Sequence, residues 1–291
     1  MIIVVVGPTG VGKTRMSIEL AKKYNAEIIN ADSMQIYKQL NIGTAKISNM
    51  EGIKHHMIDI RNINDEYSVY EYQKECRSII DNLINKKNII IVGGTGLYIK
   101  SILYNYIFDE DSNNQYEELS NEQLYSNIIN LKEDIVVDKN NRRRLVRLLN
   151  KLENNSNTNN KNEKIYDFIT IGLTTNRKDL YNIINNRVDD MINNGLVEEA
   201  KELFDLGINS RAINTAIGYK ELYMYFNNKI SLEESICLIK KNSRKYAKRQ
   251  YTWFNNQMEV KWFDINYNDF SNTVNKVISY IEEENLCIKE D

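Results

Sequence analysis

Pro8 is the only proline in the chain, and His55 and His56 are its only histidines. One proline in 291 residues, set beside the many asparagines, reads as base bias of the genome and carries little functional information. Two adjacent histidines make a poor metal pair, because neighbours on a strand point to opposite faces, so both are read as packing or hydrogen-bonding residues. Cys76, Cys237 and Cys287 are odd in number and far apart, with no Cys-x-x-Cys pair. That spacing excludes the usual structural zinc patterns and suits reduced thiols. No apolar stretch approaches the roughly 20 residues of a membrane span. The apolar N-terminus leads straight into a glycine-rich turn, unlike a signal peptide. A cytosolic protein without a membrane partner is expected. An excess of charge of one sign is missing too: with a net charge of -2, any nucleic-acid site has to be a local patch.

What the chain does contain is 42% hydrophobic and 27% charged residues, enough for one large domain or one plus an insert. It has no internal repeat. Its most informative segment is Gly7-Pro8-Thr9-Gly10-Val11-Gly12-Lys13-Thr14, with the apolar run Ile2–Val6 before it and a helical pattern from Ser17 after it. This is a phosphate-binding P-loop in the strand-to-helix context it requires. Gly7 and Gly12 let the backbone close around an anion, Lys13 brings a point charge to terminal phosphates, and the Thr14 hydroxyl suits a magnesium ion. The alternative is a plain strand-to-helix turn. The ligand expected is a di- or triphosphate, nucleotides such as ATP included.

Ordinary nucleotide hydrolases and kinases also carry a carboxylate at the tip of a second strand. Asn88–Val92 is the best such strand, but it runs into Gly93-Gly94-Thr95-Gly96 with no acid, leaving Thr95 and the glycine amides to line the site. The acid is assigned instead to Asp32, after the segment Ala26–Ala31, because strand tips of a parallel sheet converge on one crevice. Lys13, Asp32 and Thr95 would then be neighbours. From spacing alone, a helix N-cap is an equal reading of Asp32.

The first hundred residues read as β-α-β-β-α-β with a helix from Tyr67 to Leu83. A strand at Phe168–Leu173 returns the chain to the sheet, and helices follow at about 177–206, 213–227 and 231–255. The last opens with the capping-box signature Ser231-Leu232-Glu233-Glu234. The asparagine-rich run 154–160 reads as a mobile surface loop. The tail, with Trp262 and Phe263, carries no motif. The divisions expected are a first part of the core over 1–103, a helical insert over 104–150, and completion of the core over 151–291.

Two basic clusters meet the requirement for a local patch. One is Arg142-Arg143-Arg144-Leu145-Val146-Arg147. The other is a helix with stripes Lys240, Arg244, Lys248 and Lys241, Lys245, Arg249, whose opposite side carries Ile236, Ile239, Tyr246, Gln250 and Trp253. A solvated surface is the ordinary reading of a charge run. Adjacent stripes of one sign repel at i,i+4, a strain that a polyanion relieves. Arg187 differs, because the stripe Leu180, Ile184, Met191 passes through its position. It faces inward and needs a carboxylate, such as Asp190 one turn on, or a ligand phosphate.

The P-loop, Asp32-Ser33-Met34-Gln35-Ile36-Tyr37, Asn41-Ile42-Gly43-Thr44-Ala45-Lys46, His55-His56-Met57-Ile58-Asp59, Gly93-Gly94-Thr95-Gly96-Leu97-Tyr98, Ala216-Ile217-Gly218-Tyr219-Lys220-Glu221-Leu222 and the segment Arg244 to Phe254 occur in that order. The ordered set resembles the bacterial tRNA dimethylallyltransferase family from end to end. The resemblance implies a P-loop NTPase-like α/β core with parallel sheet and flanking helices, and an inserted helical subdomain that closes over the tRNA anticodon stem-loop. It implies a magnesium-assisted transfer of a dimethylallyl group from dimethylallyl diphosphate to the exocyclic amine of adenosine 37. Asp32 would be the general base; Lys13, Thr14, Thr95 and Arg187 would hold the leaving diphosphate. Asp32, Ser33, Met34, Gln35 and Thr95, with Arg143, Arg144, Arg147, Arg244, Lys248 and Arg249, would meet tRNA. A monomer is expected. Asn255 and Lys245 depart from the arginines usual in the family, so the resemblance stands while individual phosphate contacts at these two positions do not carry over. The alternatives are a P-loop small-molecule kinase, an isopentenyltransferase acting on free adenine nucleotides, and a non-enzymatic RNA-binding module.

Overall fold

Ile2-Ile3-Val4-Val5-Val6 is a short β-branched run with no polar alternation, the pattern of a strand covered on both faces, and β1 (Ile2–Val6) is buried along its whole length. The computed structural model describes residues 1–108, 116, 118–153 and 162–288, the side chains of Arg143 and of 286–288 excepted; the asparagine-rich run 154–160 lies outside the described residues. The other strands are β2 (Ala26–Asn30), β3 (His55–His56), β4 (Asn88–Val92), β5 (Phe168–Thr174) and β6 (Lys261–Asp264). They form one sheet in the order β3-β2-β4-β1-β5-β6, parallel at every pairing. Parallel pairing requires a crossover at each connection and brings the carboxyl ends of all strands to one edge.

The first crossovers are α1 (Lys13–Tyr24), α2 (Val69–Leu83) and α3 (Gly96–Leu103). The expected start at Tyr67 moves to a cap at Ser68, whose side chain accepts the Glu71 amide while Glu71 accepts the Ser68 amide. On one face of the sheet, Ile3, Val5, Ile28, Ile90 and Ile171 pack against Met16 and Leu20 of α1 and against Val274, Val277 and Ile281 of α11 (Phe270–Ile288). Each such side chain contributes about 1.5–3 kcal/mol by leaving water.

Beyond β5 lie α6 (Arg177–Asn193), α7 (Leu196–Asp205), α8 (Arg211–Thr215), α9 (Tyr219–Phe226) and α10 (Leu232–Gln257). The single helix expected over 177–206 is two helices, because Gly195 adopts a left-handed φ of 97° that breaks the ladder. The helix expected over 213–227 is also two, α8 ending at Thr215 with an extended Ala216 and α9 starting after Gly218, whose φ is 103°. The capping box at Ser231 is present, with Glu234 as its partner.

The chain forms two compact units, Met1–Leu103 with Tyr166–Asp291, and Tyr104–Ile165. The second runs past the boundary expected at 150, which would have cut α5 (Arg142–Glu153), a helix whose Leu145 and Leu149 belong to this unit's core with Leu124 and Ile128 of α4 (Asn121–Leu131). Among the described residues no helix is long and apolar enough to cross a membrane.

Candidate active site

The carboxyl edge of the sheet opens into a cavity of about 690 Å³, and the P-loop forms its floor. Gly7 passes so close to β5 that a Cβ there would stand 2.5 Å from the Leu173 carbonyl oxygen. Helix α1 begins at Gly12 with no side-chain cap and no acidic residue in its first turn. Its leading N–H groups and the positive end of its dipole are thus left for an anion. Thr9, Gly10, Gly12, Lys13 and Thr14 line the cavity, whereas Val11 is fully buried behind it and Gly7 and Pro8 shape the loop. The Lys13 ammonium donates to the Pro8 carbonyl at 2.7 Å. Burial, seconded by the nearby Arg187 charge and opposed by Asp32, brings its pKa down to about 7.

Asp32 lines the same cavity. The N-cap alternative takes another form: the residues after it make turns instead of a helix, and one carboxylate oxygen closes a turn by accepting the Met34 amide at 2.9 Å. Asn30 braces that turn, accepting the Asp32 amide and donating to the Met57 carbonyl. Ser33, Met34 and Gln35 also line the cavity. Thr95 sits behind them, its hydroxyl oxygen accepting the Ser33 amide at 3.1 Å, so it supports the Asp32 turn and is not among the lining residues.

Arg187 projects from α6 into the cavity. It pairs neither with the exposed Asp190 nor with any other described residue through a hydrogen bond or ion pair. Burial lowers its pKa, against the pull of Asp32. Beside it Ile183, Ile184, Val188 and Met191 of the same helix, with Leu196 and Ile239, give the cavity an apolar wall. One compartment therefore joins an anion-binding floor, a carboxylate and a greasy wall. The Thr14 hydroxyl and the Asp32 carboxylate are hard oxygen donors, and magnesium is commonly held by one or two such groups plus phosphates and water. Among the described residues no cluster of three His, Cys, Asp or Glu exists to bind a metal on its own.

Gln250 of α10 is not among the residues expected at the site, yet it ties the site together: its side-chain oxygen accepts the Thr9 amide at 2.9 Å and its nitrogen donates to the Gly94 carbonyl at 3.0 Å. A polar residue on the inward face of an amphipathic helix is the signal for it. The glycines of Gly93-Gly94-Thr95-Gly96 make room for α10, since a Cβ at Gly94 or Gly96 would stand 2.0 Å from Gln250 or Trp253. The motif-free tail also contributes, because Phe270 packs on Gly12 and carries Arg15 over its ring. His55 bonds the Ile53 carbonyl and His56 the Glu27 carboxylate at 2.7 Å, as packing and hydrogen-bonding residues would.

The basic stripes of α10 are not equivalent. Lys240 pairs with Asp189 and Arg244 donates to Asn185, so both lean on α6, whereas Lys241, Lys245, Lys248 and Arg249 are exposed. Arg249 reaches the cavity rim. In the second unit Arg142 is used internally, donating to the Tyr116 and Leu119 carbonyls, while Arg144 and Arg147 are exposed. The side chain of Arg143 lies outside the described residues.

Residues 35–257 match the family model described as IPP transferase. The chain is 46% identical to a tRNA dimethylallyltransferase of Anoxybacillus flavithermus, covering 97% of this chain and 96% of that one, and 43% identical to that of Bacillus subtilis, covering 91% and 90%. Among solved structures it resembles the tRNA delta(2)-isopentenylpyrophosphate transferase of Staphylococcus epidermidis, with a TM-score of 0.75 and 38% identity over 97% of this chain and 99% of that one. A eukaryotic dimethylallyltransferase acting on tRNA gives a TM-score of 0.79 at 29% identity, over 90% of this chain and 73% of that one. With these matches, the six-stranded core is of the P-loop NTPase-like kind, and the chain belongs to the IPP transferase family of prenyl-transferring enzymes.

Proposed function

We propose that the protein transfers the five-carbon dimethylallyl group of dimethylallyl diphosphate to the exocyclic amine of adenosine 37 in tRNA, beside the anticodon, acting as a monomer in the cytoplasm. The observation that carries this reading is the composition of the cavity: Lys13, Arg187 and the uncapped start of α1 for a diphosphate, an apolar wall on α6 for a hydrocarbon, and Asp32 lining the same space. A kinase has no use for that wall, and a free nucleotide has none for exposed basic residues in both units.

The adenine amine is a weak nucleophile because its lone pair is delocalised into the ring. As its nitrogen bonds to the first carbon of the donor, Asp32 accepts the amine proton. The bond from that carbon to the bridging oxygen breaks, and diphosphate leaves with the electron pair. Lys13, Arg187 and the P-loop amides stabilise the growing charge. Thr14 would hold magnesium, which when bound adds positive charge to the departing oxygens. The target base has to leave its stack to enter the cavity, at a cost of a few kcal/mol. Ser33, Met34 and Gln35 line the route, with Thr95 bracing the turn that presents them. Arg143, Arg144, Arg147, Arg244, Lys248 and Arg249 would meet phosphates of the anticodon stem-loop.

The test is incubation of unmodified tRNA with dimethylallyl diphosphate and magnesium, followed by mass spectrometry of the nucleosides. A gain of one dimethylallyl group on adenosine 37 is expected, with pyrophosphate competing against the donor and no ATP consumed. Prenylation of free adenine nucleotide but not of tRNA, or ATP hydrolysed with each turnover, would overturn the reading.

A further inference from the structure

Glu199, in the first turn of α7, does not line the cavity, yet three successive backbone amides converge on its carboxylate. Asn41 donates at 3.2 Å, Ile42 at 3.0 and 3.1 Å to the two oxygens, and Gly43 at 3.4 Å. The buried Tyr219 hydroxyl donates to the same carboxylate and accepts the Gly43 amide at 3.2 Å. Burial and the adjacent Glu199 push the Tyr219 pKa far up, so its proton stays in place to be donated. A Cβ at Gly43 would stand 2.5 Å from the Tyr219 ring, so loop and ring are in close contact.

The loop held in this way reaches the cavity, because Gly43, Thr44 and Ala45 are lining residues. The Thr44 carbonyl accepts from the Gln35 side chain at 3.1 Å, and Gln35 belongs to the turn that begins at Asp32. Lys46 secures the loop's far end, donating to the Tyr37 carbonyl at 2.7 Å and pairing with Asp59 at 2.5 Å. A continuous set of hydrogen bonds thus runs from Glu199 through the loop to the residues beside Asp32.

We infer that Glu199, backed by Tyr219, is a positioning residue for the transfer reaction: it holds the amides of 41–43 so that the Thr44 carbonyl keeps Gln35 and the Asp32 turn aimed into the cavity. This rests on the reaction proposed above. A carboxylate is required because donors face both of its oxygens, and Glu199→Gln, of the same size, turns an NH2 group towards them. Losing a hydrogen bond to a charged group typically changes an equilibrium by about ten- to a hundredfold.

Three measurements on the full chain test this. Hydrogen exchange of the 41–43 amides should be at least about tenfold faster in Glu199→Gln than in the wild type, with the β1 amides unchanged. The turnover rate should fall by about ten- to a hundredfold with pyrophosphate affinity kept within about twofold. Adding Gln35→Leu to Glu199→Gln should cost no more than the worse single change, because both break one connection. Tyr219→Phe, which removes one donor and keeps the ring, should act in the same direction by less, and it serves if Glu199→Gln does not fold. Unchanged loop exchange would overturn the inference, and so would rate losses that multiply in the double variant. If the wild-type protein transferred nothing, the reaction itself would be wrong, and the exchange measurement would still judge the clamp.

Discussion

Lys13 and Arg187 are recessed in a cavity, while Lys241, Lys245, Lys248 and Arg249 of α10 and Arg144 and Arg147 of α5 stand in solvent. The two recessed cations have pKa values lowered by burial, and Asp32 alone is the carboxylate that opposes the shift in both. Holding charge in such a place costs free energy unless a ligand brings the opposite charge. Exposed cations carry no such cost, and their attraction for a polyanion is screened by salt. The difference teaches that charge count says little about role. On the function proposed above, the recessed pair answers charge that appears during the reaction, and the exposed set answers charge already present on tRNA.

The strongest way to break this contrast is to remove the anion that acts on both recessed cations. Asp32→Ala should lower the single-turnover rate by about 10²–10⁴-fold, the range for a lost general base, with tRNA binding little changed. A rate within a few-fold of wild type would leave Asp32 as the cap of the Met34 amide and nothing more.

Next is Arg187→Ala. Turnover and donor affinity together should drop by about 10²–10³-fold, as for other donors aimed at developing negative charge. The salt dependence of tRNA binding should stay as it is. A flatter salt slope in this variant would place Arg187 against tRNA and reverse the assignment.

A third prediction uses the protonation of Lys13. With a pKa of about 7, Lys13 is mostly neutral in the free protein at pH 8.5, and a bound diphosphate should restore its proton. Calorimetry of pyrophosphate binding in buffers of different ionisation enthalpy should report nearly one proton more taken up by the wild type than by Lys13→Met at pH 8.5, and little difference between them at pH 6, the protons of pyrophosphate itself cancelling in the comparison. Linkage gives a second readout. The folded pKa lies below the ordinary lysine value of 10.5, so the unfolded chain binds more protons between about pH 7 and 10.5, and stability rises with pH across that window. Lys13→Met should therefore stabilise the free protein more at pH 7 than at pH 9. Equal gains at both values would argue against a buried charge.

The smallest effects belong to the exposed set. Replacing Lys248, Arg249 or Arg147 by Ala should weaken tRNA binding only a few-fold and flatten the plot of log affinity against log salt by about 0.7–0.9 for each phosphate no longer neutralised. Arg244→Ala should flatten it less, since Arg244 already bonds Asn185. Slopes unchanged in all four variants would return these residues to an ordinary solvated surface.

Local features of the fold are readable in the residues. The P-loop, the succession of the first strands and helices along the chain and the capping box at Ser231 depend on neighbours a few positions apart, and each is present in the fold. The inward face of Arg187 follows from helical spacing, and its cavity position agrees with it. Less legible is anything fixed by distant partners. Gln250 meets Thr9 across 241 positions, and Glu199 meets Ile42 across 157. The break at Gly195 escapes a reading of the residues because an isolated glycine is also tolerated inside a helix, and only its left-handed φ distinguishes the two cases. Thr95 follows a strand tip and so reads as a lining residue, but its hydroxyl is turned to Ser33.

The close seating of α10 on the turn after β4 has a consequence for how such a protein can drift. Gly94 lies beneath Gln250 and Gly96 beneath Trp253, each with no space for one added carbon. Neither partner tolerates change alone: a larger residue below displaces the side chain above, and a smaller one above leaves a void and unpaired backbone groups. Along a lineage, positions 94 and 250, and 96 and 253, should therefore be replaced together or not at all.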